Sequence, residues 1–344
     1  MTQDTIRVGV VGAGANTRDR HIPGLQAIEG VEIVAVCNRS QESGERVAQR
    51  FGIERVCTNW QDVVQAEDVD AVVIGTWPYM HRLLTVTALE ADKHVMCEAR
   101  MAMNASEAHC MYNALRSRPH LVAQIVPSPF SLRVDRTIQR LIRDGWLGDV
   151  LVVDVRAGGA FIDKDVEMHW RHNMDYSGLN VMTMGIWYEA MMRWVGEATS
   201  VVAKGKTFTP VRQDEQGRMM GVRIPDHIDI IADLAGGGQA HIQVSNVTGF
   251  GDPPSATIYG SEGTLHFSGD VLTGGQRGDS GLSEIEVPDH EAGGWRVEEE
   301  FISAIRGHEV ITHTDFATGV KYMEFTEAVH RSRRSGKTVN LPLL

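Results

Sequence analysis

The chain has 344 residues, 42% of them hydrophobic and 23% charged, with a formal net charge of −12. That length suggests two domains of about 150 residues each, with enough apolar content for a buried core. The acidic balance argues against nucleic acid or an anionic membrane as the main partner, and no apolar run reaches the roughly 20 residues of a membrane span.

In chain order, "IRVGVVG" (6–12) is a short β-branched run closed by glycine, a buried strand. A helix is expected over 18–29, its regular part delayed by His21-Ile22-Pro23. "VEIVAVCN" (31–38) is a second strand, and "QESGERVAQRFG" (41–52) a helix stopped by Gly52. "DAVVIGT" (70–76), "HVMCE" (94–98) and "HLVAQIV" (120–126) read as further strands, with helices near 79–91 and 105–117. Strand alternating with helix predicts βαβ units and a parallel sheet covered on both faces. Ligands of such sheets lie beyond the carboxyl ends of the strands, so the loops after residues 12, 38, 76, 98 and 124 are the first places to look. Cys37, Cys57, Cys97 and Cys110 form no CxxC pair and read as free thiols. With a strand so close to the first residue and no leader in view, the expected location is the cytoplasm.

"VGVVGAGANTRDRH" carries the clearest local signal. A dinucleotide pyrophosphate needs a tight turn, close backbone approach and a helix N-terminus facing it. Gly12 and Gly14 meet the first two needs, and Ala15, Asn16 and Thr17 follow, with Thr17 where the usual third glycine would stand. The second strand ends in Asn38-Arg39-Ser40. No carboxylate there repels a ribose 2′-phosphate, and a guanidinium can clamp one, so NADP is preferred over NAD. The competing reading of Arg39 is a solvated loop cation.

From about 127 the pattern changes. A helix is expected through "TIQRLIRDGWLGDV" to Gly145, a strand over 149–158 and one long apolar helix over 177–196. Later strands lie in "TSVVAKGKT", "IDIIADLAGGGQAHIQVSN", "SATIYGSEGTLHFSG" and "KTVNL", with hairpin turns at "GGGQ" and "GSEG". Helices are expected over 295–307 and 315–336. The fold class is therefore α/β: a doubly wound parallel sheet over 1–126, then a second α/β domain over 127–344 with a large open, mostly antiparallel sheet. His227 and His241 read as sheet residues, and the methionines at 182, 184, 191 and 192 as core.

Five stretches in order carry a resemblance: "GAGANTRDRHIPGL", "TWPYMHRLLTVTALEADKHVMCEARMAMN", "LIRDGWLGDV", "MTMGIWYEAMMRWVGE" and "YGSEGTLHF". The chain resembles the Gfo/Idh/MocA oxidoreductases. The resemblance implies an N-terminal Rossmann domain, homo-dimers or homo-tetramers built through the second sheet, and hydride transfer between a nicotinamide and a carbohydrate-like small molecule. It places Thr76, Trp77, His81, Glu98, Ala99 and Gln124 beside the cofactor. The family's Glu-Lys-Pro is Glu98-Ala99-Arg100 here, and its helix aspartate and histidine align with Thr183 and Trp187. The ionisable groups at all three positions are replaced.

At helical spacing Tyr176, Asn180, Thr183 and Trp187 would share one face, with Glu189 turned away, which makes Tyr176 a candidate acid/base. Its competing reading is a packing residue at a helix start. "DKDVEMHWRHNMDY" (163–176) falls where the family's substrate loop lies, so His169, Arg171 and His172 are candidate substrate contacts alongside Asn180, Thr183 and Trp187. An ordinary polar loop is the competitor, and no spacing matches a metal-ligand motif. The expected function is an NAD(P)-dependent oxidoreductase of a carbohydrate or polyol with a non-standard acid/base. The alternatives are a redox-neutral lyase or epimerase using the nucleotide transiently, and a non-catalytic dinucleotide-binding protein.

Overall fold

The computed structural model describes residues 5–343. The chain divides into two units: residues up to Pro127 together with Arg296–Val320, and Ser128–Trp295 together with residues from Lys321 onward.

The first unit begins with β1 (Ile6–Val11), α1 (Ile22–Gln26), β2 (Val31–Cys37), α2 (Gln41–Phe51), β3 (Arg55–Cys57), α3 (Gln61–Val64) and β4 (Ala71–Ile74). It continues with α4 (Pro78–Glu90), β5 (His94–Cys97), α5 (Ala105–Arg116) and β6 (Ala123–Ile125). The six strands are parallel, in the order β3-β2-β1-β4-β5-β6. Every residue of β4 is buried, as a strand sandwiched between two helical layers must be. The order reverses between β1 and β4, and that break opens a crevice at the strands' carboxyl ends.

The second unit contains α6 (Asp135–Arg143), β7 (Val150–Ala157), α7 (Met174–Ser177), α8 (Met184–Val195), β8 (Ala198–Lys206) and the hairpin β9 (Val211–Gln213) with β10 (Met219–Gly221). There follow β11 (His227–Leu234), β12 (Gln239–Ser245), β13 (Ser255–Gly260), β14 (Gly263–Ser268), β15 (Val271–Gln276) and β16 (Ser283–Glu284). The chain closes with α9 (Val297–Ile305), α10 (Phe316–Ser335) and β17 (Val339–Asn340). Nine strands form one sheet in the order β16-β15-β14-β13-β7-β12-β11-β8-β17. The β7–β12 pair is parallel and the other pairs are antiparallel.

Alternation assigns this sheet's two faces. Val153, Val155, Ile230, Ile242, Ile258 and Leu265 are buried on one side. The other side carries the cross-strand row Val202, Ile231, His241, Asp154, Thr257 and His266. Its polar groups engage one another: on β7, Arg156 Nε lies 2.8 Å from Asp154, and across strands Arg156 Nη2 lies 3.1 Å from His241 Nδ1 and Thr257 Oγ1 lies 2.9 Å from His266 Nδ1. Val152, Val202, Ile231 and Tyr259 remain exposed on it.

Two expectations need correction. Residues 177–196 are not one helix. Gly178 (φ 68°) ends α7, Met182 has φ 41°, and the regular helix starts only at Met184. The periodicity was continuous, but glycine permits the break at little steric cost. The division at 126/127 is also incomplete, because Arg296–Val320 joins the first unit. Ile125 and Thr314 exchange both backbone hydrogen bonds (2.9 and 3.2 Å), which extends the edge beyond β6. Gln124 Nε2 also donates to Glu300 and to the His313 carbonyl, both at 2.7 Å.

Candidate functional site

In the first unit, Gly12 and Gly14 differ in what they permit. Gly12 has φ +88°, and a Cβ there would lie 2.7 Å from the Thr76 backbone nitrogen, so the fold itself demands glycine. A Cβ on Gly14 would meet only the Gly75 carbonyl at 3.5 Å, an ordinary contact. The bareness of Gly14 is therefore available to something approaching from outside.

These glycines line a crevice of about 280 Å³ whose wall includes Arg39, Ser43, Thr76, Trp77 and Tyr79. Asn38 organises it: Oδ1 accepts from Ala13 N at 2.7 Å, and Nδ2 donates to Ser43 Oγ at 2.9 Å. Ser40 caps α2 by accepting from Ser43 N. Arg39 is exposed, its guanidinium 5.6 Å from the centre of the Trp77 ring. Thr76 Oγ1 is buried and makes no hydrogen bond among the described residues. Ala15 is exposed at the mouth of the turn. A bare Gly14, an orphaned hydroxyl and an exposed guanidinium together fit a dinucleotide.

Sequence reasoning missed His21. A π-helical turn, Thr17–His21, precedes α1. On a regular α-helix, residues five apart point about 140° from one another. The wider π turn instead brings Asn16 and His21 onto the same oxygen, Glu98 Oε1, at 2.6 and 3.1 Å. His21 Nδ1 lies 2.5 Å from Glu298 of α9. Gly24 makes room for that glutamate, since a Cβ there would fall 2.9 Å from Glu298 Cγ. Burial opposes a charge on His21, but the bonds to Glu298 and Glu98 outweigh it and push the ring up to about 9. Burial likewise opposes the charge on Glu98, but the His21 bond and charge, with Asn16, hold its carboxyl below the usual range. Glu98 Oε2 accepts from Ala99 N at 3.1 Å. With both oxygens engaged, Glu98 positions its surroundings and is poorly placed to take a proton. The sequence signal was available: "RHIPG" places a histidine one turn into the helix after the glycine loop.

Three expected cofactor contacts lie too deep. His81 is fully buried, Nε2 2.9 Å from the Thr76 carbonyl and Nδ1 3.0 Å from that of Arg100. It braces two loops of the crevice from beneath. Gln124 is fully buried and turned toward Glu300 and His313. Thr17 is buried, its hydroxyl 3.4 Å from the Gly12 carbonyl. β-Strand ends and helix starts were read as loop-facing, whereas these side chains point into the packing.

In the second unit, a cavity of about 410 Å³ opens where β7 and β12 end beside α8. Thr183 and Trp187, one helical turn apart, both line it. Trp187 packs on Phe130 at 4.9 Å between ring centres. Among the described residues that line it, none is ionisable. Tyr176 and Asn180 do not line it, because the end of α7 at Gly178 and the turn at Met182 take them off the Thr183 face. Tyr176 is 39% exposed, and Asn180 is buried with Nδ2 donating to the Ser177 carbonyl at 2.7 Å. Glu189, on α8, accepts from Ser128 N at 2.6 Å and lies 3.5 Å from Arg193.

The 163–176 segment packs on β9, Met168 N donating to the Gln213 carbonyl at 2.6 Å. Buried Arg212 holds the carbonyls of Asp163 and Val166 at 2.9 and 2.7 Å. His169 and His172 are 6.2 Å apart between ring centres, and Arg171 lies 4.2 Å over the Trp170 ring. Burial first, then the Arg212 and His169 charges, lower the His172 ring below the ordinary histidine value. Its Nδ1 is shielded from water and makes no hydrogen bond among the described residues. Among the described residues no cluster of three or more His, Cys, Asp and Glu could hold a metal ion, and no helix is long and apolar enough to cross a membrane.

A 3-2-1-4-5-6 parallel sheet with a bare glycine turn at its switch point defines the class of dinucleotide-binding α/β proteins. Comparison with known proteins narrows the class. The profile described as "Oxidoreductase family, NAD-binding Rossmann fold" matches residues 6–125, and the "GFO/IDH/MocA C-terminal domain" matches residues 136–266. The chain belongs to the Gfo/Idh/MocA oxidoreductase family. It is 24% identical to D-glucoside 3-dehydrogenase of Escherichia coli (strain K12), over 99% of each chain. It is 30% identical to inositol 2-dehydrogenase of Gluconacetobacter diazotrophicus over 43% of this chain and 44% of that one. Other matches are partial: the chain spans 31% of an uncharacterized oxidoreductase (ORF334) of Rhizobium meliloti at 32% identity. Among solved structures, levoglucosan dehydrogenase in its apo form superposes with a TM-score of 0.88 at 20% identity, covering 99% of this chain and 100% of that one. At that identity the likeness shows the shared fold.

Proposed function

We propose that the protein is an NADP-dependent oxidoreductase acting on a carbohydrate-like or polyol substrate with an acid/base unlike the family's. The observation that carries this reading is the switch-point crevice, where Gly14 is bare and Arg39 stands unopposed by a carboxylate. Gly12, Gly14 and the following helical turn would hold the pyrophosphate, and Arg39 with Ser40 and Ser43 the 2′-phosphate. When bound, the oxidised dinucleotide would accept a hydride, so that an alcohol becomes a carbonyl with release of one proton; the reduced form would supply the reverse. Sugar and polyol dehydrogenases among the relatives support the substrate class.

That proton needs an acceptor that is unprotonated at working pH. Ala99, Thr183 and Trp187, at the positions where the family carries ionisable groups, cannot serve. His172 is the candidate: it lies in the 163–176 segment expected to contact substrate, its Nδ1 makes no hydrogen bond among the described residues, and burial and Arg212 favour its neutral ring. His169 is lowered in the same direction by burial and Arg171. His172→Gln is expected to lower kcat by about 100-fold or more while leaving nucleotide affinity unchanged. The acidic limb of the wild-type rate profile should fall below the ordinary histidine value.

The test of the whole reading is titration of NADP and NAD by calorimetry. NADP should bind at least about tenfold more tightly, and Arg39→Ala should remove the difference. Absence of binding by either nucleotide would overturn it. The non-ionisable lining of the cavity favours a second reading, a non-catalytic dinucleotide-binding protein. It predicts nucleotide binding without turnover and no effect of His172→Gln.

For assembly, the exposed Val152, Val202, Ile231 and Tyr259 on the open sheet face support a homo-dimer or homo-tetramer formed through that face.

A further inference from the structure

The cavity beside α8 is built for something flatter and less polar than a sugar ring. Phe130, Met182, Trp187, Pro253, Pro254 and Phe267 supply large apolar side chains to its wall. Its polar surface comes from few groups. The Ser245 hydroxyl is already engaged, 3.0 Å from His227 Nδ1 and 3.2 Å from Val247 N. Thr183 and Asn246 remain as polar handles. A pyranose brings a hydroxyl on most of its carbons, and each one buried without a partner weakens binding. An aromatic ring needs no such partners and gains from stacking on Trp187 and Phe267.

The mouth repeats this character. The loops that supply Ala160, Pro253 and Pro254 to the wall also carry Phe161 and Phe250, which meet edge to face at 4.8 Å and 88°. Both are exposed, by 67% and 96%. Gly249 lies directly under the Phe161 ring, where any Cβ would collide with it. The volume of about 410 Å³ exceeds what one phenyl ring fills and lies within the range of small-molecule pockets.

We infer that the cavity receives an aromatic substituent, so that the substrate is an aryl glycoside or a polyol carrying an aromatic group. The inference rests on the reading of this family member as acting on a carbohydrate-like substrate. The sugar hydroxyls remain outside the cavity, and Thr183 and Asn246 meet the single oxygen that joins ring to sugar.

The test compares phenyl and methyl glucosides, of both anomers, by calorimetry on the full-length protein with and without NADP. The phenyl compounds should bind at least about tenfold more tightly than the methyl ones. Ala160→Trp, on an exposed loop, should fill the cavity and abolish that advantage without changing the thermal midpoint. Trp187→Ala should reduce the advantage and shift the indole fluorescence change seen on binding. Equal affinities, no binding by either glucoside, or an advantage that survives Ala160→Trp would overturn the inference. So would a Phe161→Ser/Phe250→Ser variant that dissociates an oligomer while glucoside binding is unchanged, because the mouth would then be a contact between copies. A phenyl advantage in a protein that binds no NADP would uphold the cavity assignment and sink the oxidoreductase reading, so the two failures are separable.

Discussion

His21 shows how one side chain can tie a glycine loop to a distant part of the chain. Replacing it with alanine would leave buried Glu298 and half-buried Glu98 facing one lost cation. The expected cost is about 3–5 kcal/mol, read as a lower midpoint in urea. The pH dependence follows from the raised ring. Its charged form is favoured in the folded state, so its contribution is complete below its ordinary 6.5 and fades as pH rises through about 9. Glu98 is lowered, so its contribution is present above its ordinary 4.5 and is lost on acidification. The wild-type thermal midpoint should therefore fall between about pH 6.5 and 9 more steeply than that of His21→Gln. Parallel profiles would remove the ion pair from the account. The two glycines make a paired test. Gly12→Ala should destabilise the fold by several kcal/mol, since both its positive φ and its contact with the Thr76 nitrogen forbid a side chain. Gly14→Ala should leave the midpoint within about 0.5 kcal/mol and weaken nucleotide binding.

At the scale of elements, the parallel strands were legible because apolar runs such as "AVVI" lie between clear punctuation. The antiparallel sheet was legible in part. β11 and β12 announce themselves by alternation around "GGGQ", whereas β15, "VLTGGQ", carries two glycines and the short β9 and β10 carry almost no pattern. The candidate site divided in the same way. Gly12, Gly14, Asn38 and Arg39 were found because loop chemistry is local. His21 escaped because its partners are 77 and 277 residues away, and His81 was misplaced because sequence does not say which side of a loop a ring occupies. The break before α8 was hidden by an apolar spacing that fits one helix throughout 177–196. Gly178 has φ 68° and ψ −140°, a conformation essentially reserved for glycine. Gly178→Ala should cost about 1–3 kcal/mol, measured by denaturant unfolding, despite the helical propensity that alanine would add.

At the scale of the whole molecule, each unit is completed by residues from the end of the chain. The first unit needs Glu298 for His21, Glu300 for Gln124 and Thr314 for Ile125. The second needs α10, whose Phe325 stacks on Tyr188 at 3.6 Å, and β17, which pairs with β8. A fragment ending at residue 127 should lack a cooperative thermal transition, and one joining residues 1–127 to 296–320 through a short linker should regain it. For the assembly reading, Val202→Glu with Ile231→Glu should lower the sedimentation coefficient to that of a monomer without altering NADP affinity. Unchanged sedimentation would place any interface elsewhere.

The return of Arg296–Val320 to the first unit also orders events on the ribosome. The nucleotide-binding half is translated first, yet the strap that closes it emerges only after the whole of Ser128–Trp295. Until then its buried carboxamide, Gln124, waits without Glu300, and its histidine, His21, without Glu298. A message truncated before Arg296 should therefore leave the first unit unfinished, a chain exposed to chaperones and proteases.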